Sequence, residues 1–299
     1  MNLKKLSLSP YLLLGMTILF WSGNFVLGRG LHDRVPPIAL SFWRWLTALM
    51  IILPFALRPM LKQRDVIFRY WKQLLVFSLL GVAGFSTLVY IGLKTTTATN
   101  GVLLNTTSPV FIILISRVFL KHHLSWQRGL GVALALTGAA VIITQGNLIL
   151  LTNLKLHQGD IYVLAGVLCW ALYTVYLHRR PPELTQLAFA GITVLIGTIT
   201  ILPFFLWETA GGAVTLISPA VLGGIFYLAL FPSILAYIFW NHAVAQVGAS
   251  KAGLFIYLMP VFGVLLSSLF LGEAVHLFHI TGMALIFAGI YLTNMQKTS

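Results

Sequence analysis

The chain repeats itself at a constant offset. Thr97–Val141 lies over Gly248–Leu292 without a gap, 151 residues apart. Ala98 falls on Ala249, Leu103 on Leu254, Pro109-Val110-Phe111 on Pro260-Val261-Phe262, Leu120 on Leu271, Gly131 on Gly282 and Gly138 on Gly289. The repeated unit reads as a helix pair: the first helix carries an internal proline, the second two glycines seven residues apart. Such duplication confines the chain to folds built from two like halves. In an apolar chain, the interface between those halves is where transporters place a solute site.

The chain is indeed apolar. It is 59% hydrophobic and 8% charged over 299 residues, where a soluble domain is about a quarter charged. It is long enough for roughly ten spans of about 20 residues. Ten apolar runs can be read, at roughly 10–30, 37–57, 73–93, 99–119, 126–145, 160–178, 185–207, 218–241, 249–271 and 276–295. The first follows Lys4 and Lys5 but is too long for a signal peptide and shows no clear cleavage site, so it reads as a retained helix. The single cysteine, Cys169, excludes an intrachain disulfide and a multi-cysteine metal site.

The net charge of +13 is distributed between the apolar runs, with no nucleic-acid motif beside it, so no nucleic-acid partner is expected. The charges read as topology signals. With the N-terminus inside, thirteen basic residues fall on inner segments against four outside (Arg29, Arg34, Lys94, Lys155). Both termini are therefore expected in the cytoplasm, with the basic loops near membrane lipid. Five helices per copy is an odd number, so the second copy enters the bilayer upside down. The expected fold is an all-α integral membrane protein of ten helices in two inverted five-helix repeats, residues 1–148 and 149–299, with 146–159 as the linker. The early helices match more weakly. Leu19-Phe20-Trp21 pairs with Leu168-Cys169-Trp170 at an offset of 149, and Tyr90 has either Trp240 or Asn241 as counterpart.

Several stretches resemble a known family. They are Phe20-Trp21-Ser22-Gly23-Asn24-Phe25, Phe42-Trp43-Arg44, Tyr90 to Ala98, Ser108-Pro109-Val110-Phe111, Met259-Pro260-Val261-Phe262, Gly272-Glu273, and Gly282 with Gly289. Together and in order they resemble the EamA-type transporters of the drug/metabolite transporter superfamily, most of all the YddG-like aromatic amino acid exporters. The resemblance implies alternating access around a central cavity, peripheral fifth and tenth helices, and export of amino acids, other metabolites or drugs. The first copy departs from the family at Lys121-His122, where the second has Gly272-Glu273.

Polar groups at membrane depth need a partner or a wet cavity. Asn100, Asn105, Thr106, Thr107 and Ser108 form the most polar run in any span and end at Pro109. Either the helix opens there beside a cavity, or the hydroxyls bond back to their own helix and the proline only bends it. Pro260 poses the same choice, and both prolines are candidate hinges. Trp21, Asn24, Tyr90, Asn100, Asn105, Trp170, Tyr173, Tyr237, Trp240 and Tyr257 are the candidate substrate-binding residues. Deep Trp and Tyr make flat apolar walls with single hydrogen-bonding groups, or else simply pack. Arg44, between Trp43 and Trp45, either pairs with helix carbonyls, meets a substrate carboxylate or snorkels to an edge. The glycine pairs are expected to pack helices closely.

All six acidic residues fall in loops or at helix ends, and no histidine lies mid-span. Proton-driven carriers usually carry an intramembrane acid or histidine, so facilitated transport or exchange is expected. Glu273 is the one exception to weigh, if the outer vestibule is deep. There is no phosphate loop and no H-E-x-x-H; His122-His123 and His276 with His279 sit at helix ends, so neither a metal nor any cofactor or catalytic residue is expected. The leading function is an exporter of small metabolites, neutral or aromatic amino acids first, with a monomer slightly preferred. Export of drugs or other amphipathic solutes is the alternative. An intramembrane enzyme and a channel rank lower, lacking a convergent catalytic set and a continuous polar stripe.

Overall fold

The computed structural model describes residues 8–96, 98–120, 126–147, 158–271 and 274–294. Lys121-His122, His123, Gly272-Glu273, the middle of the linker and the basic residues Lys4, Lys5, Lys155 and Lys297 lie outside the described residues. The described chain is helical throughout, with no strand. Its longer helices are α1 (Pro10–Gly30), α2 (Pro37–Lys62), α3 (Trp71–Thr95), α4 (Ala98–Asn105 and Ser108–Leu120), α5 (Trp126–Ile143), α6 (Gln158–Tyr176), α7 (Gln186–Ala210), α8 (Pro219–Val247), α9 (Ala249–Leu271) and α10 (Leu277–Asn294), with a short helix at Arg64–Arg69 between α2 and α3 and a 3-10 turn at Leu177–Arg179 after α6. Seven segments among the described residues are long and apolar enough to cross a bilayer, namely those of α2, α3, α4, α6, α7, α8 and α9. Their outward faces carry large apolar side chains: Phe55, Trp207 and Leu269 are all about two-thirds exposed or more. A soluble protein would not tolerate such a surface; lipid covers it. The chain is a multi-pass membrane protein.

The repeat extends into the irregularities of the backbone. α3 and α8 each contain a π-helical stretch, at Ser78–Gly84 and Ala229–Leu235. These start 151 residues apart. At the same offset α4 restarts at Ser108 and α9 at Met259. Packing follows the same rule. α2 packs on α7 and α5 on α10, while α3 on α6 is mirrored by α1 on α8. This exchange of partners is what a two-fold relation between copies requires.

The start of α2 shows how the sequence sets an element. Pro36 is the cap residue and offers no side-chain acceptor; Pro37 follows at the first helical position, where its missing N–H is harmless. The free N–H groups of Ile38 and Ala39 donate instead to Glu208 of α7, at 3.2 and 2.7 Å. A carboxylate at a helix N-terminus also meets the positive end of the helix dipole. Glu208→Ala should therefore lower stability by about 1–2 kcal/mol, with Glu208→Gln costing less. The melting temperatures of the purified variants read this directly; an unchanged Ala variant would show that water caps the helix equally well. In the other copy, Thr185 and Ser218 cap α7 and α8 through their own hydroxyls.

Between α8 and α9 the chain reverses in a single residue. Gly248 sits at φ 83°, and its N–H closes on the Val244 carbonyl at 2.9 Å. Only glycine adopts that conformation without strain.

Candidate functional site

Polar groups inside the bundle gather where the two copies meet. α4 breaks at Thr106-Thr107, and α9 tightens into a 3-10 turn at Phe255–Leu258 at the equivalent place. Pro109 and Pro260 do not sit mid-helix, as the sequence suggested. Each occupies the first turn of the restarted segment, where proline is well tolerated. Both readings of the polar run are met in part: the helix does open, and Thr106 and Thr107 bond back to Leu103 and Leu104 at 2.6 Å.

A small cavity lies beside the breaks. It is lined by Trp21, Asn24, Arg44, Phe85, Asn105, Trp170, Ile256 and Met259. Trp21 and Trp170 are equivalent residues of the two copies, as are Asn105 and Ile256, so the cavity straddles the pseudo-axis. The Trp21 and Trp170 rings meet edge to face with centroids 4.8 Å apart. The cavity volume is about 10 Å³, space for about one water molecule.

Arg44 is 1% exposed. Its Nε donates to Ser233 Oγ, and its Nη1 donates to Asn24 Oδ1 at 3.0 Å and Tyr90 Oη at 2.9 Å. Tyr90 Oη in turn donates to Asn24 Oδ1 at 2.8 Å. The guanidinium also stands 5.0 Å from the Trp45 ring centre. Arg44 thus does not snorkel, and among the described residues it bonds no helix carbonyl; its partners there are neutral side chains. Among the described residues, no carboxylate pairs with it.

The second copy answers with a swapped pair. Tyr173 donates to Asn241 Oδ1 at 2.8 Å. By the offsets of 149 and 151, Asn24 corresponds to Tyr173 and Tyr90 to Asn241, so each copy joins its first helix to its third by one Tyr–Asn bond with the roles reversed. This settles the counterpart of Tyr90 as Asn241. The charge is not duplicated: Thr193 stands opposite Arg44 and bonds its own helix at Phe189. The π stretches are used alike. Trp21 Nε1 donates to the Pro232 carbonyl at 3.1 Å, and Tyr237 Oη donates to the equivalent carbonyl of Gly81.

Of the residues singled out from sequence, Trp21, Asn24, Asn105 and Trp170 line the cavity. Tyr90, Tyr173, Tyr237 and Trp240 form a layer behind it, packed ring against ring around Trp170 or bonded to lining residues. Tyr257 is buried and is not in the lining, and its hydroxyl has no hydrogen-bond partner among the described residues. Asn100 is buried one turn above Asn105 on α4, also off the lining. Phe85, Ile256 and Met259 were not singled out; Ile256 is the repeat equivalent of Asn105 and could have been found that way. Beyond the end of α6, burial holds the half-buried Arg180 guanidinium below its usual pKa, and it stacks 5.2 Å over Phe189.

The model of the EamA-like transporter family matches residues 8–144 and again 157–295. The chain is 28% identical over 279 residues to the uncharacterized transporter YyaM of Bacillus subtilis, covering 93% of this chain and 91% of that one. It is 30% identical to an uncharacterized transporter of Archaeoglobus fulgidus, covering 96% and 98% of the two chains. A probable terminal-alkyne amino-acid exporter of Streptantibioticus cattleyicolor is 27% identical, covering 94% and 92%. One solved crystal structure shares the fold with a TM-score of 0.77 over 96% of each chain, at 18% identity.

Proposed function

The chain belongs to the EamA-like transporter family and is a membrane transporter; on that premise we propose that it exports neutral or aromatic amino acids by alternating access. The observation that carries this reading is the Trp21–Trp170 contact on the pseudo-axis. Equivalent aromatic residues from two copies form opposing walls, and broken helices flank them. The cavity as it stands holds about one water, so a solute enters only when the two walls part. Rocking one copy against the other would part them toward one side at a time. In this reading eight of the ten candidate residues act in two tiers: Trp21, Asn24, Asn105 and Trp170 touch solute, and Tyr90, Tyr173, Tyr237 and Trp240 hold them in place, while Asn100 and Tyr257 stand apart. Pro109 and Pro260, just past the breaks, are the proposed hinges.

This reading puts the protein in the cytoplasmic membrane with both termini cytoplasmic, which the basic loops support, and takes a monomer as the transporting unit. Among the described residues no carboxylate or histidine lines the cavity, which supports facilitated transport or exchange. The relative named a probable terminal-alkyne amino-acid exporter supports amino acids as the substrate class. Purified protein in liposomes should take up phenylalanine saturably, with stimulation by phenylalanine loaded on the far side and no requirement for a proton gradient. Unsaturable flux would replace the carrier with a pore, and loss of uptake on dissipating a proton gradient would refute facilitated transport.

A further inference from the structure

We infer that the central cavity is a carboxylate-binding site, with Arg44 as its charge and Trp170 as a second donor; the inference rests on the transport reading and narrows its substrate to amphipathic carboxylates. The argument is a census of donors and acceptors. Three bonds occupy Arg44 Nε and Nη1. Among the described residues, Nη2 has no hydrogen-bond partner, although Arg44 lines the cavity. The same holds for Trp170 Nε1. Asn105 Nδ2 donates only to the Met259 thioether at 3.0 Å, a weak acceptor. On the acceptor side, Asn24 Oδ1 already receives two bonds, from Arg44 and Tyr90, and Asn105 Oδ1 receives one from Ser108 Oγ at 3.5 Å. The lining is therefore rich in unengaged donors and poor in acceptors. A ligand that fits it brings acceptors and negative charge.

Charge points the same way. A cation 1% exposed inside a bundle, held only by neutral groups, is costly to maintain. A carboxylate meeting Nη2 end-on compensates that charge without breaking the three internal bonds. The rest of the lining, Trp21, Phe85, Ile256 and Met259, is apolar and suits a large apolar or aromatic body. Because the second copy has Thr193 in place of Arg44, the ligand binds in one orientation, its carboxylate toward α2. No acid in the lining rewards an ammonium group, so cationic amphiphiles are rejected.

Heat stability of the purified protein tests this with four probes: phenylalanine, 3-phenylpropionate, phenylalaninamide and 2-phenylethylamine. The two carboxylates should raise the melting temperature and the other two should not. Equal stabilisation by phenylalaninamide, or no shift with any probe, overturns the site. Arg44→Lys should weaken both carboxylates about tenfold or more, the scale of one charge-assisted bond; unchanged affinity in a folded Lys variant would overturn the role of Arg44. The wild-type probe series needs no variant to fold. Liposome uptake separates the two proposals. Carboxylate-specific stabilisation without phenylalanine uptake supports the site and removes the transport reading. Equal uptake of phenylalanine and phenylalaninamide removes the site and leaves transport standing.

Discussion

Gly138→Val is expected to pull α5 away from α10 and to lower stability by about 3 kcal/mol. A Cβ on Gly138 would stand 2.5 Å from the Gly282 carbonyl oxygen and 2.8 Å from the Ile286 nitrogen. Both are backbone atoms of α10, so no rotamer relieves them. The repeat doubles the constraint. Gly131 faces Gly289 exactly as its counterpart Gly282 faces Gly138, and a Cβ on Gly289 would lie 2.7 Å from the Ala135 nitrogen. Two glycine-on-glycine contacts, two turns apart on antiparallel helices, let the backbones touch. α5 and α10 pack chiefly on one another, so little else holds them once they separate. Gly129→Ala in the same helix is the control. Its Cβ meets nothing within 4 Å, and the better helix former should leave stability unchanged or raise it by up to about 1 kcal/mol. Melting curves of the two variants in one detergent decide the matter; equal losses would mean that the close contact at Gly138 is not what sets the stability of this pair.

Much of this was legible in the sequence because duplication writes the fold twice. The offset of 151 located the α4–α5 and α9–α10 pairs, and the Gly131/Gly282 and Gly138/Gly289 positions pointed to the close helix contact that the structure shows. The π stretches were not legible. Nothing in the Ser78–Gly84 composition distinguishes an i+5 turn from an ordinary helix; only its alignment with the Pro232-containing stretch hints at it. The site was half legible for a similar reason. Polar and aromatic types announce themselves in an apolar chain, so Trp21, Asn24, Asn105 and Trp170 could be picked out. Whether such a ring faces a cavity or another ring depends on helix rotation, which a helix that is apolar all round does not encode. Tyr173, Tyr237 and Trp240 therefore could not be told from lining residues. Phe85 and Met259 are apolar residues in an apolar chain, and nothing in the sequence pointed either side chain at a cavity. Arg44 did stand out, but its partners could not be foreseen. Asn24, Tyr90 and Ser233 come from three different helices.

Trp170→Ala should be the most damaging substitution at the centre, costing about 3–5 kcal/mol. The ring is 2% exposed and contacts five others. Trp21 and Phe85 lie 4.8 and 5.2 Å away by centroid, and Tyr173, Tyr237 and Trp240 lie 5.1, 5.3 and 5.6 Å away. Truncation removes one partner from every pair at once, and the void opens onto a cavity already present, so collapse can fill it only in part. Trp170→Phe keeps a ring and should recover most of the stability. Transport separates the roles that stability merges. If Trp170 is a wall for the solute, the Phe variant should fold nearly as well as the parent yet show a clearly raised KM for phenylalanine, having lost an indole N–H and part of a wall. Trp240→Phe is the matched comparison, since its Nε1 donates to Thr174 at 3.3 Å and its ring lies behind Trp170. That variant should lose stability without a comparable change in KM. The opposite pattern, with KM moved by Trp240→Phe and untouched by Trp170→Phe, would place the solute on the far side of this aromatic layer.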